Sequence, residues 1–397
     1  MEVTGLAAVL LATALLLVVV SAVQPVARRL EVSETVLLAL VGIVIGGGAD
    51  LVIRGTYTEK IPTVAGTALN GVAETLLDFP ISSEVFLLVF LPVLVFQGAL
   101  AIDVRRLADE AATVLLLAVV AVLVSTATIG FALFPFAGMP LVICLLLGSI
   151  VATTDPSAVA GIFRDIGASS SLTRLVEGEA LLNDAAAIAI FATLLEAVTA
   201  HRSIAIGSAA LSFLISFAGA IAIGILGARL MLYMITVLGN APAAETTLTV
   251  ALPYIVYIVG DEIIGVSGVV ATAAAGLTMS VYGPSTFRPQ TWRFLNELWQ
   301  QLVFWAGSLV FVLASMLIPR LLVGMTRWDI VLILLSSVAG LVARAAVVFG
   351  LLPILSWTRL APPVPNPFKV TMVWGGLRGA ITLALALAVT ENPHIST

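Results

Sequence analysis

Six charged side chains lie inside long apolar stretches of the sequence, where lipid would surround them: Asp155, Glu177, Glu179, Asp184, Arg344 and Arg378. A charge at membrane depth costs at least ~3 kcal/mol on insertion scales, and such charges persist mainly where they have a role. Four carboxylates against two arginines leave a surplus of two negative charges, which protons or a bound cation must neutralise. A site that accepts either a proton or a cation could exchange one for the other.

The stretch VATTDPSAVA (151–160) predicts a broken helix. Asp155 followed by Pro156 makes a good N-cap and first-turn pair, because proline lacks an N–H that a helix start leaves unpaired anyway. We therefore expect one half-helix before Thr153 and Thr154, an extended step at these two residues, and a second half-helix from Pro156. Oxygens freed at such a step could coordinate Na⁺, and irregular backbone at this depth is tolerated only where it is buried or lines a cavity. A plain proline kink with a self-capping aspartate is the alternative.

The next segment contains EGEALLND, with four polar side chains on one predicted helix. At 100° per residue, Glu177 and Asp184 share one face, while Glu179 and Asn183 share a neighbouring face. Asp184 can therefore point at the ion site while Glu179 faces a cation elsewhere. Arg344 lies near the middle of its own apolar segment, so we predict a Glu179–Arg344 ion pair between two helices. A solvated Glu177 and a purely packing role for Asn183 stay open.

A second interruption is predicted in VWGGLRGAITLALAL, where glycines surround Arg378. Two interrupted segments in the two halves of a transporter indicate an inverted repeat with its site between them. Arg378 would then balance the partial charges of the facing half-helix ends. The alternative is that the glycines only permit close packing.

The composition of the chain places these residues in a membrane. The 397 residues are 60% hydrophobic and 10% charged, whereas soluble domains carry about 25% charged residues. Apolar runs of about 20 residues match a bilayer, and they predict an all-α polytopic membrane protein with twelve segments at 5–24, 34–53, 84–102, 111–134, 139–165, 172–199, 204–238, 243–260, 263–282, 292–319, 328–357 and 367–390. Alternate connectors hold eleven basic residues and the opposite ones five, which predicts an outside N-terminus. No metal or redox motif surrounds the single cysteine.

The sequence resembles the electroneutral monovalent cation:proton antiporter family, which includes the sodium/proton exchangers with an N-D motif. The resemblance is carried, in the family's order, by TTDPSAVAGIFRDIG (153–167), EGEALLNDAAAIAIF (177–191), GVSGVVATAAAGL (265–277) and GGLRGAITLALAL (375–387), with a weaker match in FQGALAIDVRRL (96–107). It covers the chain from about residue 85 to its end. The four motifs together are far more specific than any one of them.

The resemblance implies an inverted-repeat antiporter fold with two crossed unwound helices, of whose thirteen helices about twelve are present here. Residues 1–397 would form a single transmembrane transporter domain in a homodimer. The dimerisation (scaffold) helices would lie mainly in 1–82 and 204–282, and the core ion-binding helices mainly in 84–199 and 292–397. The resemblance also implies a last helix and a cytoplasmic tail, which the twelve segments of this sequence do not include.

The resemblance also assigns roles in the site. Asp184 would bind either Na⁺ or H⁺, with Asp155 and the main-chain oxygen of Thr154 as further ligands. Asn183, Glu179, Arg344 and Arg378 would support it, the glutamate and the arginine of the 328–357 segment as an ion pair. One position departs from the family pattern: Ala180 stands where a serine hydroxyl commonly helps to coordinate Na⁺, so one oxygen ligand is missing.

We therefore expect a secondary active antiporter of the cell membrane rather than an enzyme. It would exchange Na⁺ (or Li⁺) for H⁺, one for one, by alternating access with competition at Asp184. The transported ions and the lipid bilayer would be its partners, with no cofactor and no nucleic acid. A K⁺/H⁺ exchanger and a gated cation channel are the alternatives, and a membrane aspartyl protease using Asp155 and Asp184 is a distant third because its G-x-G-D pattern is absent.

Overall fold

The structure is a computed structural model of the chain. It describes residues 2–30, 32–58, 86–102, 104, 111–154, 159, 163, 167, 170–199, 206–238, 241–358, 360, 363–375 and 379–390, some of them by their backbone alone. Throughout this part of the chain the regular structure is helical, without a β-strand. The all-α fold class predicted from the apolar segments is therefore confirmed.

Each predicted apolar segment coincides with helical structure. The α-helices are α1 (Glu2–Leu30), α2 (Glu34–Thr58), α3 (Leu91–Ala101), α4 (Ala111–Ala137), α5 (Leu141–Ala152), α6 (Ser170–Thr199), α7 (Ile206–Leu238), α8 (Pro242–Ile258), α9 (Gly268–Thr286), α10 (Pro289–Met316), α11 (Ile318–Leu322), α12 (Arg327–Ala346), α13 (Leu352–Trp357), α14 (Asn366–Trp374) and α15 (Ala380–Thr390). Wider π-helical turns precede α3 at Phe86–Phe90, continue α8 at Val259–Ile264 and join α12 to α13 at Val347–Leu351.

Lipid is the solvent that this surface requires. Within the described residues, seven helical stretches are long and apolar enough to cross a bilayer, and Glu34–Ala49, Phe86–Ala101 and Leu141–Ala152 are shorter apolar helices. Large apolar side chains face outward, for example Leu226 and Val237 of α7, which are 68% and 67% exposed. Such faces would be unfavourable in water, because continuous exposed apolar surface is rare on soluble proteins.

The helices group into two compact units. The first contains residues 1–86 and 300–327, and the second contains residues 87–299 and 328–397. In the first unit α2 approaches the end of α10 closely: a Cβ at Gly42 would lie 2.5 Å from the carbonyl oxygen of Val312. Glycine therefore lets these two helices pack backbone to backbone, as is common between membrane helices.

The second unit holds the described residues proposed for the ion site: Thr154, Glu179, Asn183, Asp184 and Arg344. A buried apolar cluster joins α4, α6, α13, α14 and the π-helical turn Val347–Leu351, and includes Phe163, Leu175 and Val348. Another joins α3, α5, α6, α9 and α15, and includes Leu146, Phe191 and Leu385. These clusters fix α6 between its neighbours. The predicted division into scaffold and core helices concerns movement and dimerisation, and it stays a prediction.

Candidate ion-binding site

Helix α6 presents its polar side chains on two sides. Glu179 and Asn183 are 0% and 1% exposed, and they lie four residues apart on the buried side. Glu177 and Asp184 are partly exposed. The predicted separation of Asp184 from Glu179 around the helix is therefore what the structure shows, because a 3.6-residue period turns the two side chains away from each other.

The buried side of α6 is held to α12 by an ion pair. The guanidinium of Arg344 donates from Nη1 to Oε1 of Glu179 at 2.5 Å and from Nη2 to Oε2 at 2.9 Å. Both side chains are at least nine-tenths buried. A two-pronged contact of this kind satisfies both carboxylate oxygens and compensates both charges. The ion pair predicted from the count of intramembrane charges is confirmed as a contact.

Arg344 also reaches the second interrupted segment. Its Nε–H donates to the main-chain oxygen of Met372 at 3.4 Å. Met372 lies in the last turn of α14, where carbonyl groups lack partners within the helix. The same arginine therefore joins α12, α6 and the end of α14.

The first interrupted segment breaks where the sequence predicts. Helix α5 ends at Ala152, and Thr153 has extended backbone with φ −62° and ψ 144°. The hydroxyl of Thr153 donates back to the carbonyl of Ile150, which the break would otherwise leave unpaired. Nδ2 of Asn183 donates to the hydroxyl of Thr154 at 3.2 Å. Asn183 and Asp184 form the N-D pair, and the amide of Asn183 is thus hydrogen-bonded to the break.

The two interrupted segments meet each other. The hydroxyl groups of Thr153 and Thr382 are hydrogen-bonded, which joins the end of α5 to the first turn of α15. Helix α14 ends at Trp374, and Gly375 packs so closely against Val159 that a side chain there would overlap it. The interruption predicted from the glycines is therefore present at Gly375, and close packing is one reason for that glycine.

The structure brings together most of the residues proposed for the site. Thr154, Asn183, Glu179 and Arg344 are linked by the contacts above, and Asp184 follows Asn183 on the more accessible side of α6. Asp155 and Arg378 lie outside the described residues. Within the described part of the chain, no group of three or more His, Cys, Asp or Glu side chains is arranged to hold a metal ion.

Two contacts at the site were not predicted from the sequence. Thr382 and the carbonyl of Met372 are uncharged groups, so they escape a search for costly intramembrane charges. A threonine in a membrane helix commonly bonds its own helix, as Thr193 does to Ala189. The available signal is the position of Thr382, four residues after Arg378 in the interrupted segment.

Comparison with known proteins decides the family. Residues 13–397 match the family model described as sodium/hydrogen exchanger, transmembrane. The chain belongs to the sodium/hydrogen exchanger family. This membership places it among transporters rather than enzymes, and it confirms the family expected from the four motifs.

Individual members of the exchanger family are similar over most of this chain. The Na(+)/H(+) antiporter ApNhaP of Aphanothece halophytica is 31% identical over 86% of this chain and 66% of its own length. Sodium/hydrogen exchanger 7 of Arabidopsis thaliana is 28% identical over 91% of this chain and 34% of its own length. The chain thus spans from one third to two thirds of these relatives.

A solved structure shares the fold. The sodium proton antiporter MjNhaP1 from Methanocaldococcus jannaschii, determined at pH 8, matches 97% of this chain and 86% of its own with a TM-score of 0.71. The sequence identity is 20%. This likeness confirms that the chain adopts the all-helical antiporter fold.

Proposed function

We propose that this chain exchanges Na⁺ (or Li⁺) for H⁺ across a membrane by alternating access. The observation that carries the proposal is the placement of Asp184. It is a partly exposed carboxylate on α6, and Asn183, the residue before it, donates a hydrogen bond to Thr154 at one of the helix breaks. Relatives named as Na⁺/H⁺ antiporters support the same activity.

Competition at Asp184 would couple the two fluxes. A carboxylate carries either a proton or a cation, so an Asp184 that faces the two sides in turn moves the ions in opposite directions. The neighbouring side chain is the neutral Asn183, and Glu179 is occupied by Arg344. One exchangeable charge per cycle supports electroneutral exchange of one cation for one proton.

Ala180 favours a second candidate, an exchanger that prefers K⁺. It is buried at 2% exposure, one turn before Asp184, and its methyl group offers no oxygen. Loss of one hydroxyl ligand should weaken the binding of a small, strongly hydrated cation such as Na⁺ more than the binding of the larger K⁺. Thr154 and Asp155 would then supply the remaining oxygens with Asp184.

The test is cation-driven proton movement in proteoliposomes. A pH gradient is imposed, and its dissipation is followed after Na⁺, Li⁺ or K⁺ is added, with the membrane potential clamped to zero in one series. The proposal predicts dissipation by Na⁺ or Li⁺ that the clamp leaves unchanged. Dissipation by K⁺ alone would establish the second candidate, and ionic current without proton coupling would establish a channel.

We further propose a homodimer in the cell membrane with its N-terminus outside. The excess of basic residues in alternate connectors supports the orientation, and the resemblance to the antiporter family supports the dimer. Labelling of a cysteine introduced at Glu2 by an impermeant reagent in intact cells tests the orientation, and mass photometry of the detergent-solubilised protein tests the dimer. Protection of that cysteine, or a monomer mass, would contradict the respective proposal.

A further inference from the structure

A small polar cavity lies behind the N-D pair, on the buried side of α6. Its volume is about 20 Å³. Its polar lining comes from four helical segments: Ser125 of α4, Thr154 after α5, Asn183 of α6 and Arg344 of α12. A cavity needs about 10–15 Å³ to hold one water molecule, so this one has room for a single water.

One polar atom of a residue that lines this cavity lacks a hydrogen-bond partner among the described residues. Oδ1 of Asn183 is buried, and no hydrogen bond reaches it from the residues that the structure describes. The other end of the same amide donates to Thr154. Leaving such a carbonyl unsatisfied costs about as much as a lost hydrogen bond, and native proteins nearly always satisfy it.

Arg344 can supply the complementary donor. A guanidinium has five N–H bonds, and its bonds to Glu179 and Met372 use three of them. Within the described residues, the other two N–H bonds have no partner, and the side chain that carries them lines the cavity. A molecule placed there must accept from Arg344 and donate to Asn183. Water does both, whereas Na⁺ cannot donate and would meet the positive charge of Arg344.

We propose that this cavity binds one resident water, which joins Arg344 to Oδ1 of Asn183, and that Ser125 is a positioning residue that holds it. The water has four polar neighbours, which is within the two to four that buried waters use. It links the ion pair to the N-D pair and fixes the amide with its N–H toward Thr154. The orientation of the break beside Asp184 then depends on Ser125.

Ser125 has a matched control next to it. Thr126 is also buried on α4, at 6% exposure against 8% for Ser125, but it does not line the cavity. Its hydroxyl has no hydrogen-bond partner within the described residues. Valine at either position removes one hydroxyl, and only Ser125→Val places a methyl group where the water binds.

The direct test is a cryo-EM map of the full chain at a resolution that shows other buried waters, collected in choline chloride without Na⁺. We expect one density peak within hydrogen-bond distance of Oδ1 of Asn183, retained in Thr126→Val and lost in Ser125→Val. An empty cavity in the unmodified protein, or a peak that appears only with Na⁺, would overturn the proposal. This arm does not depend on transport.

The second arm rests on the proposed Na⁺/H⁺ exchange. Ser125→Val should raise the Na⁺ concentration for half-maximal proton movement about fivefold, the worth of one hydrogen bond, with the maximal rate little changed. Thr126→Val should leave the half-maximal Na⁺ concentration and the maximal rate unchanged. Ser125→Thr keeps a hydroxyl and should keep the affinity of the unmodified protein. Equal effects of the two valine variants would refute the positioning role. If Ser125→Val does not fold, Ser125→Ala takes its place with a smaller expected shift in the same direction.

Discussion

The two sides of helix Ser170–Thr199 are both acidic, and they are built for opposite purposes. On the buried side, Glu179 is closed by two hydrogen bonds from Arg344, and its charge is compensated permanently. On the other side, Asp184 is partly exposed. A carboxylate buried in a two-pronged ion pair is closed off from ions, whereas a partly exposed carboxylate can be reached by them. The helix thus separates the charge that holds the structure from the charge proposed to do the transport.

The comparison also explains the position of Asn183. It lies on the buried side with Glu179, but it directly precedes Asp184 and donates to Thr154 at the break. Asn183 therefore connects the buried side of the helix, at the position just before Asp184, to the segment that breaks at Thr153 and Thr154. A neutral amide can make this link without adding a second titrating group beside Asp184.

The largest effect is expected from neutralising Asp184 on the partly exposed side of the helix. Asp184→Asn keeps the size and polarity of the side chain but removes the group for which Na⁺ and H⁺ compete, so cation-driven proton movement in proteoliposomes should be lost. Glu177→Gln is the matched control, seven residues earlier on the same side. It should retain most of the activity. Equal losses in both variants would mean that general negative charge on this side, rather than Asp184, drives transport.

The next effect concerns the fixed side. Glu179→Gln leaves the buried guanidinium of Arg344 without a counter-charge, which should destabilise the protein by about 3–5 kcal/mol. Thermal unfolding in detergent measures this, with Glu196→Gln as the control because Glu196 is exposed near the end of the same helix. A second substitution, Arg344→Met, removes the stranded charge and should recover part of the loss. If Glu179→Gln alone were as stable as Glu196→Gln, the ion pair would contribute nothing to stability.

Charge and periodicity made much of this site predictable. Intramembrane charges are costly, so Glu179 and Arg344 could be matched by counting. Proline and clustered glycines break helices, so the steps at Thr153 and Gly375 follow from sequence alone. The hydroxyl pair of Thr153 with Thr382 and the cavity at Ser125 could not be predicted in this way. Both depend on hydroxyl groups that meet residues far apart in the chain, and a serine or threonine inside a membrane helix carries no cost that requires a distant partner.

A smaller effect should come from restoring the ligand that Ala180 lacks. Ala180→Ser adds one hydroxyl a turn before Asp184, and a neutral oxygen ligand should raise the apparent affinity for Na⁺ by about three- to tenfold, the range of one hydrogen-bond-sized interaction. Concentration series of Na⁺, Li⁺ and K⁺ in proteoliposomes measure it. Ala187→Ser, also buried on α6, should leave all three affinities unchanged. A variant whose preference among the cations does not move would show that position 180 lies outside the coordination sphere.

The smallest effect is expected where the two interrupted segments touch. Thr382→Val keeps the shape of the side chain and removes its hydrogen bond with Thr153, which should cost about 1 kcal/mol of stability. Thr371→Val is the control, because the hydroxyl of Thr371 bonds only within its own helix, to the carbonyl of Pro367, among the contacts described. If the contact between the breaks also limits their movement, Thr382→Val should change the maximal rate of exchange while the control does not. Thermal unfolding measures the loss of stability, and initial exchange rates on the same preparations measure the effect on transport. An unchanged rate would mean that this contact stabilises the protein without limiting the movement of the breaks.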